Sequence, residues 1–202
     1  MVNMDELKDI IVYLVYNCRW PHLPEFNVQK LIFLTEIESY KTTGKRLTDA
    51  NYKSYNYGPY SEDVQRAYES LEDDPRVTVA YHRSMMSKRV YKGAGRGQAQ
   101  PTFPTLDENK LSILEKISTE WGTKTGNFMA EHIYRTYIYA STPFDHYYEF
   151  ERIPQNLIDK KIREDEVADG EALKAEILRY AHLESIKPPQ SARETANAGD
   201  RG

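Results

Sequence analysis

The sequence predicts an α+β fold that is predominantly helical, with a helical core and a small antiparallel β-hairpin or sheet. The first observation is that apolar residues recur at helical spacing after capping residues, as Leu7, Ile11 and Leu14 do after Asn3. The second is that residues 76–92 alternate between apolar and polar side chains, which is typical of two paired strands. Helical segments outnumber strand segments, so we expect helices to form most of the core.

The first predicted helix begins after Asn3, which can cap it with Glu6 as capping-box partner, and it ends before Pro21. Cys18 lies on the apolar face of this helix and is the single cysteine of the chain. An internal disulfide or a cysteine-based metal cluster is therefore excluded, and we expect an inert thiol. We expect a reducing, cytoplasmic location.

The second predicted helix is capped by Asn27 and ends at Gly44, a residue type that commonly stops helices. Phe26 precedes the cap and is expected to pack on Leu31 as a hydrophobic staple. After this helix, tyrosines alternate with polar residues between positions 51 and 57, which predicts a short strand.

The dipeptide Gly58-Pro59 is a turn signal, and we expect it to reverse the chain after that strand. Ser61 can cap a third helix, because Glu62 and Asp63 follow it and suit the positive end of a helix dipole. The first half of the chain then has the order helix, helix, strand, helix, hairpin, which is winged-helix-like.

The hairpin predicted at residues 76–92 is basic, since no acidic residue occurs between Asp74 and Asp107. Aromatic residues are interleaved with six positive charges, which are Arg76, Arg83, Lys88, Arg89, Lys92 and Arg96. Such a surface can bind phosphates or an acidic protein surface. It can also complement the acidic segment 145–184 within the fold, or remain simply solvated. The sequence leaves these alternatives open.

In the second half of the chain, Thr105 and Glu108 form a capping box before a helix that Gly122 ends. A further helix is predicted from about residue 125 to residue 139. The aromatic segment 145–153 is expected to fold back on the core.

The predicted domain organisation has three parts. Residues 1–155 form the domain, residues 156–187 form a charged helical extension, and residues 188–202 form a disordered tail of small and polar residues.

Composition narrows the possible partners. The net charge of -4 argues against a general nucleic-acid-coating protein but allows one local basic face. No apolar run approaches the roughly 20 residues that span a bilayer, so we expect no membrane partner. The chain has 16 tyrosines against 6 phenylalanines, and tyrosine suits interfaces because its ring is apolar and its tip polar.

No motif indicates catalysis or metal binding. HExxH, CxxC and GxSxG motifs are missing from the sequence, and the glycine-rich run 93–97 lacks the Lys-Ser or Lys-Thr ending of a phosphate loop. Glu131 and His132 would project about 100° apart on a helix and would not chelate together. We expect a structural, hydrogen-bonding role for His132. We therefore predict a binding protein and not an enzyme, with no catalytic residue, metal, cofactor or small-molecule substrate.

A set of motifs also occurs in a defined order along residues 5–155. The helix start contains Gln29, Lys30, Leu31 and Phe33, and the helix stop is Gly44. The Tyr-Gly-Pro segment is Tyr57, Gly58 and Pro59, and the three later positions are Trp121, His132 and Pro143. Together they resemble the Panacea domain, the SocA-like antitoxin domain of bacterial, archaeal and phage toxin–antitoxin pairs. The resemblance implies that seven of them are structural, namely Gln29, Lys30, Leu31, Phe33, Gly58, Pro59 and His132.

The resemblance further implies an antitoxin that neutralises a protein toxin encoded next to it by direct binding, with a role in phage defence. Candidate partner-binding residues come from the tyrosine-rich segment and the basic hairpin, and they are Tyr52, Tyr55, Tyr57, Arg83, Lys88, Arg89 and Tyr91. The alternative hypothesis is a winged-helix-type transcriptional regulator that contacts DNA with the basic hairpin, and that can also repress its own promoter. The two hypotheses can both hold.

Overall fold

The computed structural model describes residues 2–82, 87–93 and 101–162. The helices in these residues are α1 (Met4–Asn17), α2 (Glu25–Thr43), α3 (Glu62–Glu69), α4 (Glu108–Trp121), α5 (Gly126–Tyr134) and α6 (Tyr137–Ala140). The strands are β1 (His22–Pro24), β2 (Lys53–Tyr55), β3 (Gly58–Tyr60), β4 (Val77–His82) and β5 (Ser87–Lys92). The predicted α+β, predominantly helical class is confirmed.

Helix α2 lies at the centre of the molecule, in contact with α1, α3, α4 and α5. Every residue from Asn27 to Ile37 is buried, so this helix has no solvent-facing side over three turns. A fully buried leucine or isoleucine contributes about 1.5–3 kcal/mol of hydrophobic free energy, and several lie in this stretch. Its polar residues must instead find hydrogen-bond partners inside the protein.

Helix α1 begins as predicted, because the side chain of Asn3 accepts a hydrogen bond from the backbone N–H of Glu6, 3.2 Å away. Its predicted apolar face is buried, including Cys18. Helix α2 ends as predicted at Gly44, which has a left-handed conformation with φ of 72°.

The start of α2 differs from the prediction. The helix begins at Glu25 with Pro24 as N-cap, two residues before the predicted cap Asn27. Glu25 in the first turn suits the positive end of the helix dipole. Helix α5 starts against this turn, since a Cβ on Gly126 would lie 2.4 Å from Cδ1 of Phe26 and 2.7 Å from Oδ1 of Asn27. Phe26 is therefore inside the helix, and the predicted staple does not apply.

Strand β1 was not predicted, and it completes an antiparallel sheet with the order β1-β5-β4. Leu23 and Val79 flank Val90 in register, which places three apolar side chains across the sheet. The predicted hairpin of residues 76–92 is confirmed as β4 and β5. The hydroxyl of Tyr68 donates to the carbonyl oxygens of Leu23 and Lys88, at 2.8 Å and 3.1 Å, and so ties α3 to this sheet.

A second antiparallel pair is formed by β2 and β3, where Tyr55 faces Gly58 and Ser54 faces Pro59. The prediction that Gly58-Pro59 makes the turn is wrong, since both residues belong to β3 and the turn is at residues 56–57. Gly58 has a φ of 86°, which lets the chain re-enter the ladder directly after the turn. The pair is called the tyrosine hairpin below.

The aromatic segment after α6 folds back on the core, as predicted. Asp145 donates its N–H to the carbonyl of Ser54, and Tyr148 donates to the carbonyl of Tyr52, at 2.8 Å and 2.9 Å. The segment thus runs along β2 like a third strand. The ring of Tyr148 lies 4.8 Å from that of Phe33.

The N-cap of α4 is Asp107, which accepts a hydrogen bond of 2.8 Å from the N–H of Lys110, so the predicted Thr105 capping box is wrong. Thr105 is engaged elsewhere, because its hydroxyl donates to the buried carboxylate of Asp9 at 2.7 Å. Arg76 pairs with the same carboxylate at 2.5 Å. One buried acid in α1 therefore fixes the start of β4 and the loop before α4.

The single helix predicted for residues 125–139 is interrupted. Thr136 lies between α5 and α6 with a ψ of 149°, and its hydroxyl donates to the carbonyl of Ile133 at 2.6 Å. The break allows Thr136 to pair with Lys161 as an isolated β-bridge. The packed chain thus continues to Ile162, while most of the predicted extension and the predicted tail lie outside the described residues.

Candidate functional site

Four exposed aromatic side chains gather on the tyrosine hairpin and the segment that pairs with it. They are between 45% and 61% exposed and form what we call the aromatic patch, consisting of Tyr55, Tyr57, Phe144 and Tyr147. Tyr55 stacks on Phe144 with ring centroids 6.1 Å apart and an interplanar angle of 14°. Tyr147 faces Lys53 in a β-bridge, and the Lys53 ammonium lies 5.9 Å from its ring. Several exposed aromatic side chains on neighbouring segments are typical of protein interaction sites.

Buried polar groups of α2 hold the tyrosine hairpin in place. Gln29 and the backbone of Ser61 exchange two hydrogen bonds of 3.0 Å. The ammonium of Lys30 donates to the carbonyl oxygen of Pro59 at 3.0 Å and lies 4.8 Å from the ring of Phe26. Because these partners belong to β3 and to the residue after it, the central helix positions the surface that carries the patch.

Gly58 allows the hairpin to lie directly on this anchor. A Cβ at this position would lie 3.0 Å from Cε1 of Tyr134 and 3.4 Å from Nζ of Lys30. The backbone at Gly58 therefore covers the lysine, which is 2% exposed. Burial lowers the pKa of Lys30 to about 7, because the charged form loses its hydration.

A cleft of about 510 Å³ opens between the start of α2 and the tyrosine hairpin. We call it the aromatic cleft, because four rings line it: Phe26, Tyr55, Tyr57 and Tyr60. Polar groups of α2 also line it, including Glu25, Gln29 and Lys30. The cleft and the aromatic patch share Tyr55 and Tyr57, so they form one continuous surface.

Three carboxylates contribute negative charge near the cleft. The pKa of Tyr60 is raised by burial first and then by the negative charges of Glu25, Glu62 and Glu69. Burial also raises the pKa of Glu25 itself. Within the described residues, these three carboxylates make no ion pair with a lysine or arginine.

The predicted partner-binding tyrosines separate into two groups. Tyr55 and Tyr57 are exposed at the hairpin, which is compatible with binding. Tyr52 is 1% exposed and its ring lies 5.1 Å from Phe33, so the prediction that it belongs to an exposed face is corrected. The alternation of tyrosines in this segment could not show which positions face the core, since strand β2 begins only at Lys53.

The basic hairpin is less available than its composition suggests. The side chain of Lys88 pairs with Glu72 at 2.6 Å, and Arg76 pairs with Asp74 at 2.7 Å. Arg89 is half-buried, and the half-buried Tyr91 packs beside His22. Arg83, the remaining predicted contact in this hairpin, lies outside the described residues.

The other family-motif residues differ in burial. Leu31 and Phe33 are buried in α2. The ring of His132 is partly exposed and meets Trp121 edge-on with centroids 4.4 Å apart. The observed contact of His132 is thus a ring contact, and burial lowers its pKa to about 4. Its predicted hydrogen-bonding role remains a prediction.

Sequence reasoning missed Phe26, Tyr60, Phe144 and Tyr147 as surface aromatics. Tyr147 belongs to the segment 145–153, which was recognised as aromatic and assigned to the core, and Phe144 directly precedes it. This segment pairs with β2, for example through the hydrogen bond from the N–H of Asp145 to the carbonyl of Ser54. The pairing buries one side of the segment and leaves the other side exposed. The available signal was the clustering of aromatic residues around position 147, without any indication of which side each ring takes.

Groups that could support other chemistry are placed as follows. Cys18 is buried, and burial raises the pKa of its thiol to about 12. The described residues contain no group of three or more His, Cys, Asp or Glu side chains arranged to hold a metal ion. Among the same residues, no helix combines the length and the hydropathy that crossing a bilayer requires.

The fold and the site together define a small α+β domain whose central helix supports an exposed aromatic surface. A family model described as "Antitoxin SocA-like, Panacea domain" matches residues 28–138, more than half of the chain. The chain belongs to this antitoxin family, as its motifs predicted. The match includes the anchors Gln29 and Lys30 and the tyrosine hairpin, and it ends before Phe144. A search of curated proteins and a search of solved structures each found no match.

Proposed function

We propose that this protein is an antitoxin that neutralises a protein toxin encoded next to it, in the cytoplasm, by direct binding through the aromatic patch. The observation that carries the proposal is the patch itself, formed by Tyr55, Tyr57, Phe144 and Tyr147 on a hairpin that buried residues of α2 hold in place. Aromatic side chains on a fixed backbone bury large areas at little entropic cost, which is why they dominate binding energies at interfaces.

In this proposal the protein acts by binding and not by catalysis. The buried thiol of Cys18, with a pKa of about 12, is protonated at neutral pH and does not serve as a nucleophile. The amine of Lys30 is covered by the hairpin backbone at Gly58 and is engaged by Pro59. Both groups are used to build the fold.

The DNA-binding alternative receives less support from the geometry. The exposed side of α3 carries Glu62 and Glu69 next to Arg66, so it offers phosphates no basic face. Lys88 in the basic hairpin is already paired with Glu72, and Arg76 with Asp9. We therefore place protein binding first.

Growth of cells that express the neighbouring open reading frame, with and without this protein, tests the proposal. We expect the wild-type protein to restore growth and to bind the purified toxin. Phe144→Ser combined with Tyr147→Ser should weaken toxin binding at least about 30-fold, since a single interface hot spot contributes about 2 kcal/mol and two of them are not additive.

A matched control uses Phe128→Ser combined with Tyr81→Ser, which removes two aromatic rings of similar exposure, 50% and 57%, from other surfaces. This control should bind the toxin like the wild type. Failure of the wild type to restore growth would overturn the proposal. Equal loss of binding in both double variants would show that the patch is not the binding surface.

A further inference from the structure

The aromatic cleft has a composition that suits one class of guest. Three tyrosine rings and the ring of Phe26 form its walls, and the carboxylate of Glu25 lies among them. A volume of about 510 Å³ is large enough for one long side chain and the backbone that presents it. Aromatic faces carry partial negative charge, so a ring-lined cleft with a carboxylate attracts cations.

The charges around the cleft favour the same guest. Glu25, Glu62 and Glu69 all act on Tyr60, and none of them is within ion-pair distance of a lysine or arginine in the described part of the chain. Other acids near these elements are already paired, such as Asp63 with Arg66. Lys88 attracts Glu25 and Glu69 from the sheet, but its ammonium is in contact with Glu72 at 2.6 Å. The Tyr60 side of the cleft thus has more negative than positive charge, and a basic side chain of a partner would complement it.

Lys30 does not offset this charge at the mouth of the cleft. Its ammonium is bonded to the carbonyl of Pro59 beneath the backbone of Gly58, and it already occupies a position over the Phe26 ring. Burial also favours its neutral form. An additional cation is therefore stabilised on the tyrosine side of the cleft, away from the ammonium of Lys30.

We propose that the aromatic cleft binds a basic side chain of the partner protein, arginine in preference to lysine. The planar guanidinium of arginine can stack on tyrosine rings while it pairs with Glu25, whereas an ammonium makes one of these contacts at a time. The cleft adjoins the aromatic patch through Tyr55 and Tyr57, so this arginine would anchor a contact that the patch extends. The inference rests on the proposed function, because it names the chemistry by which that surface recognises its partner.

The test is an NMR titration of the full chain with isotope-labelled tyrosine, using the amide of N-acetyl-arginine as the probe. We expect changes in chemical shift at Tyr55, Tyr57 and Tyr60, weaker changes with the matching lysine derivative, and none with the matching glutamate derivative. The neutralised variant, Glu25→Gln with Glu62→Gln and Glu69→Gln, should bind the arginine probe roughly tenfold more weakly.

The control variant carries three substitutions of exposed acids elsewhere, Glu108→Gln, Glu120→Gln and Glu131→Gln, and it should bind the probe like the wild type. Should Glu25→Gln reduce stability, the pair Glu62→Gln and Glu69→Gln is compared with two of the control substitutions instead.

Three results would overturn the inference. These are no change at the cleft tyrosines, an unchanged affinity in the neutralised variant, or binding of the glutamate derivative, which would make Lys30 an anion site. The growth assay separates this inference from the proposed function. If the protein restores growth but does not bind the arginine probe, the proposed function is supported and the inference about the cleft is overturned. If the protein binds the probe but does not restore growth, the inference about the chemistry of the cleft is supported and the proposed function is overturned.

Discussion

The side chain of Gln29 and the backbone of Ser61 exchange two hydrogen bonds, so that the central helix holds the N-cap of α3 and the end of β3 at one point. Lys30, the next residue, holds Pro59 through its ammonium. A polar pair in the middle of the most buried helix would be costly without these partners. Their role is to fix the tyrosine hairpin, which explains why polar residues occur where an apolar helix is expected.

The first prediction follows from this pairing. Gln29→Ala leaves the N–H of Ser61 buried without its partner, whereas the carbonyl of Ser61 keeps the hydrogen bond of 3.0 Å from the N–H of Gln65. A buried unsatisfied group costs about 1–3 kcal/mol. We expect the free energy of unfolding to fall by about 1–3 kcal/mol, measured by urea denaturation.

Gln155→Ala provides the comparison, because Gln155 is exposed and donates a single hydrogen bond to the carbonyl of Lys41. This variant should change stability by less than about 0.5 kcal/mol. Similar losses in the two variants would show that the Gln29–Ser61 pair has no special role in the fold.

The second prediction separates backbone strain from crowding at two glycines. Gly44 and Gly58 both have positive φ, but a Cβ at Gly44 would make an ordinary contact of 3.5 Å with Gln155, whereas at Gly58 it would crowd Tyr134 at 3.0 Å. Left-handed backbone costs a non-glycine residue about 1–2 kcal/mol. We expect Gly44→Ala to lower the unfolding free energy by about 1 kcal/mol and Gly58→Ala by about 2–4 kcal/mol.

Because Gly58 lines the aromatic cleft, the Gly58→Ala variant should also weaken toxin binding beyond its effect on stability. Gly44 lies at the far end of α2, so Gly44→Ala should bind normally. Equal destabilisation by the two substitutions would mean that the hairpin moves away from Tyr134 without loss.

Local signals in the sequence predicted most of the helices well. Asn3, Ser61 and Gly44 cap or stop helices where their residue types indicated, because these effects depend on a few neighbouring atoms. The hairpin of β4 and β5 also followed from alternation. Local signals failed at two other helix starts. Asn27 does not cap α2, because the helix begins at Glu25. Thr105 does not cap α4, because its hydroxyl bonds to the distant Asp9.

The candidate site was predictable only in part, for the same reason. Tyr55 and Tyr57 could be proposed from composition, but Tyr52 in the same segment is buried against Phe33. The patch depends on the long-range pairing of β2 with the segment that carries Tyr147, which no periodicity reveals. A three-residue strand has too few positions to show which face is buried.

The third prediction concerns His132, whose pKa burial lowers to about 4 from 6.5. The unfolded chain then binds more protons than the folded protein between these pH values, so this residue makes stability rise with pH from about 4 to 6.5. His132→Ala should remove that contribution and the ring contact with Trp121, at a cost of about 1–2 kcal/mol near neutral pH. The exposed His146, replaced by alanine, should change stability by less than about 0.5 kcal/mol.

An NMR titration of the His132 ring measures its pKa directly, and a midpoint near the ordinary value of 6.5 would contradict the lowered pKa. Loss of toxin binding in His132→Ala with unchanged thermal stability would instead identify an interface residue.

The fourth prediction concerns Glu36, a fully buried carboxyl group in α2 that accepts hydrogen bonds from the backbone N–H groups of Leu47 and Thr48, at 2.7 Å and 3.3 Å. The hydroxyl of Thr48 donates to its other oxygen. Burial raises the pKa of Glu36 to about 7 from 4.5, and the hydrogen bonds oppose this rise only in part. Since the folded state holds a proton that the unfolded state has released, Glu36 makes stability fall as pH rises from about 4.5 to 7.

This contribution has the opposite sign to that of His132, so the two must be separated by substitution. Glu36→Gln keeps an oxygen that can accept from Leu47 but cannot ionise, because its amide does not titrate. Relative to the wild type, it should therefore gain stability steadily as pH rises from 4.5 to 7, in urea unfolding measured at fixed salt. Combining Glu36→Gln with His132→Ala should flatten the remaining dependence in this range. A stability difference between Glu36→Gln and the wild type that does not vary with pH would show that the pKa of Glu36 is not raised in the folded protein, because the hydrogen bonds from Leu47 and Thr48 then offset the effect of burial.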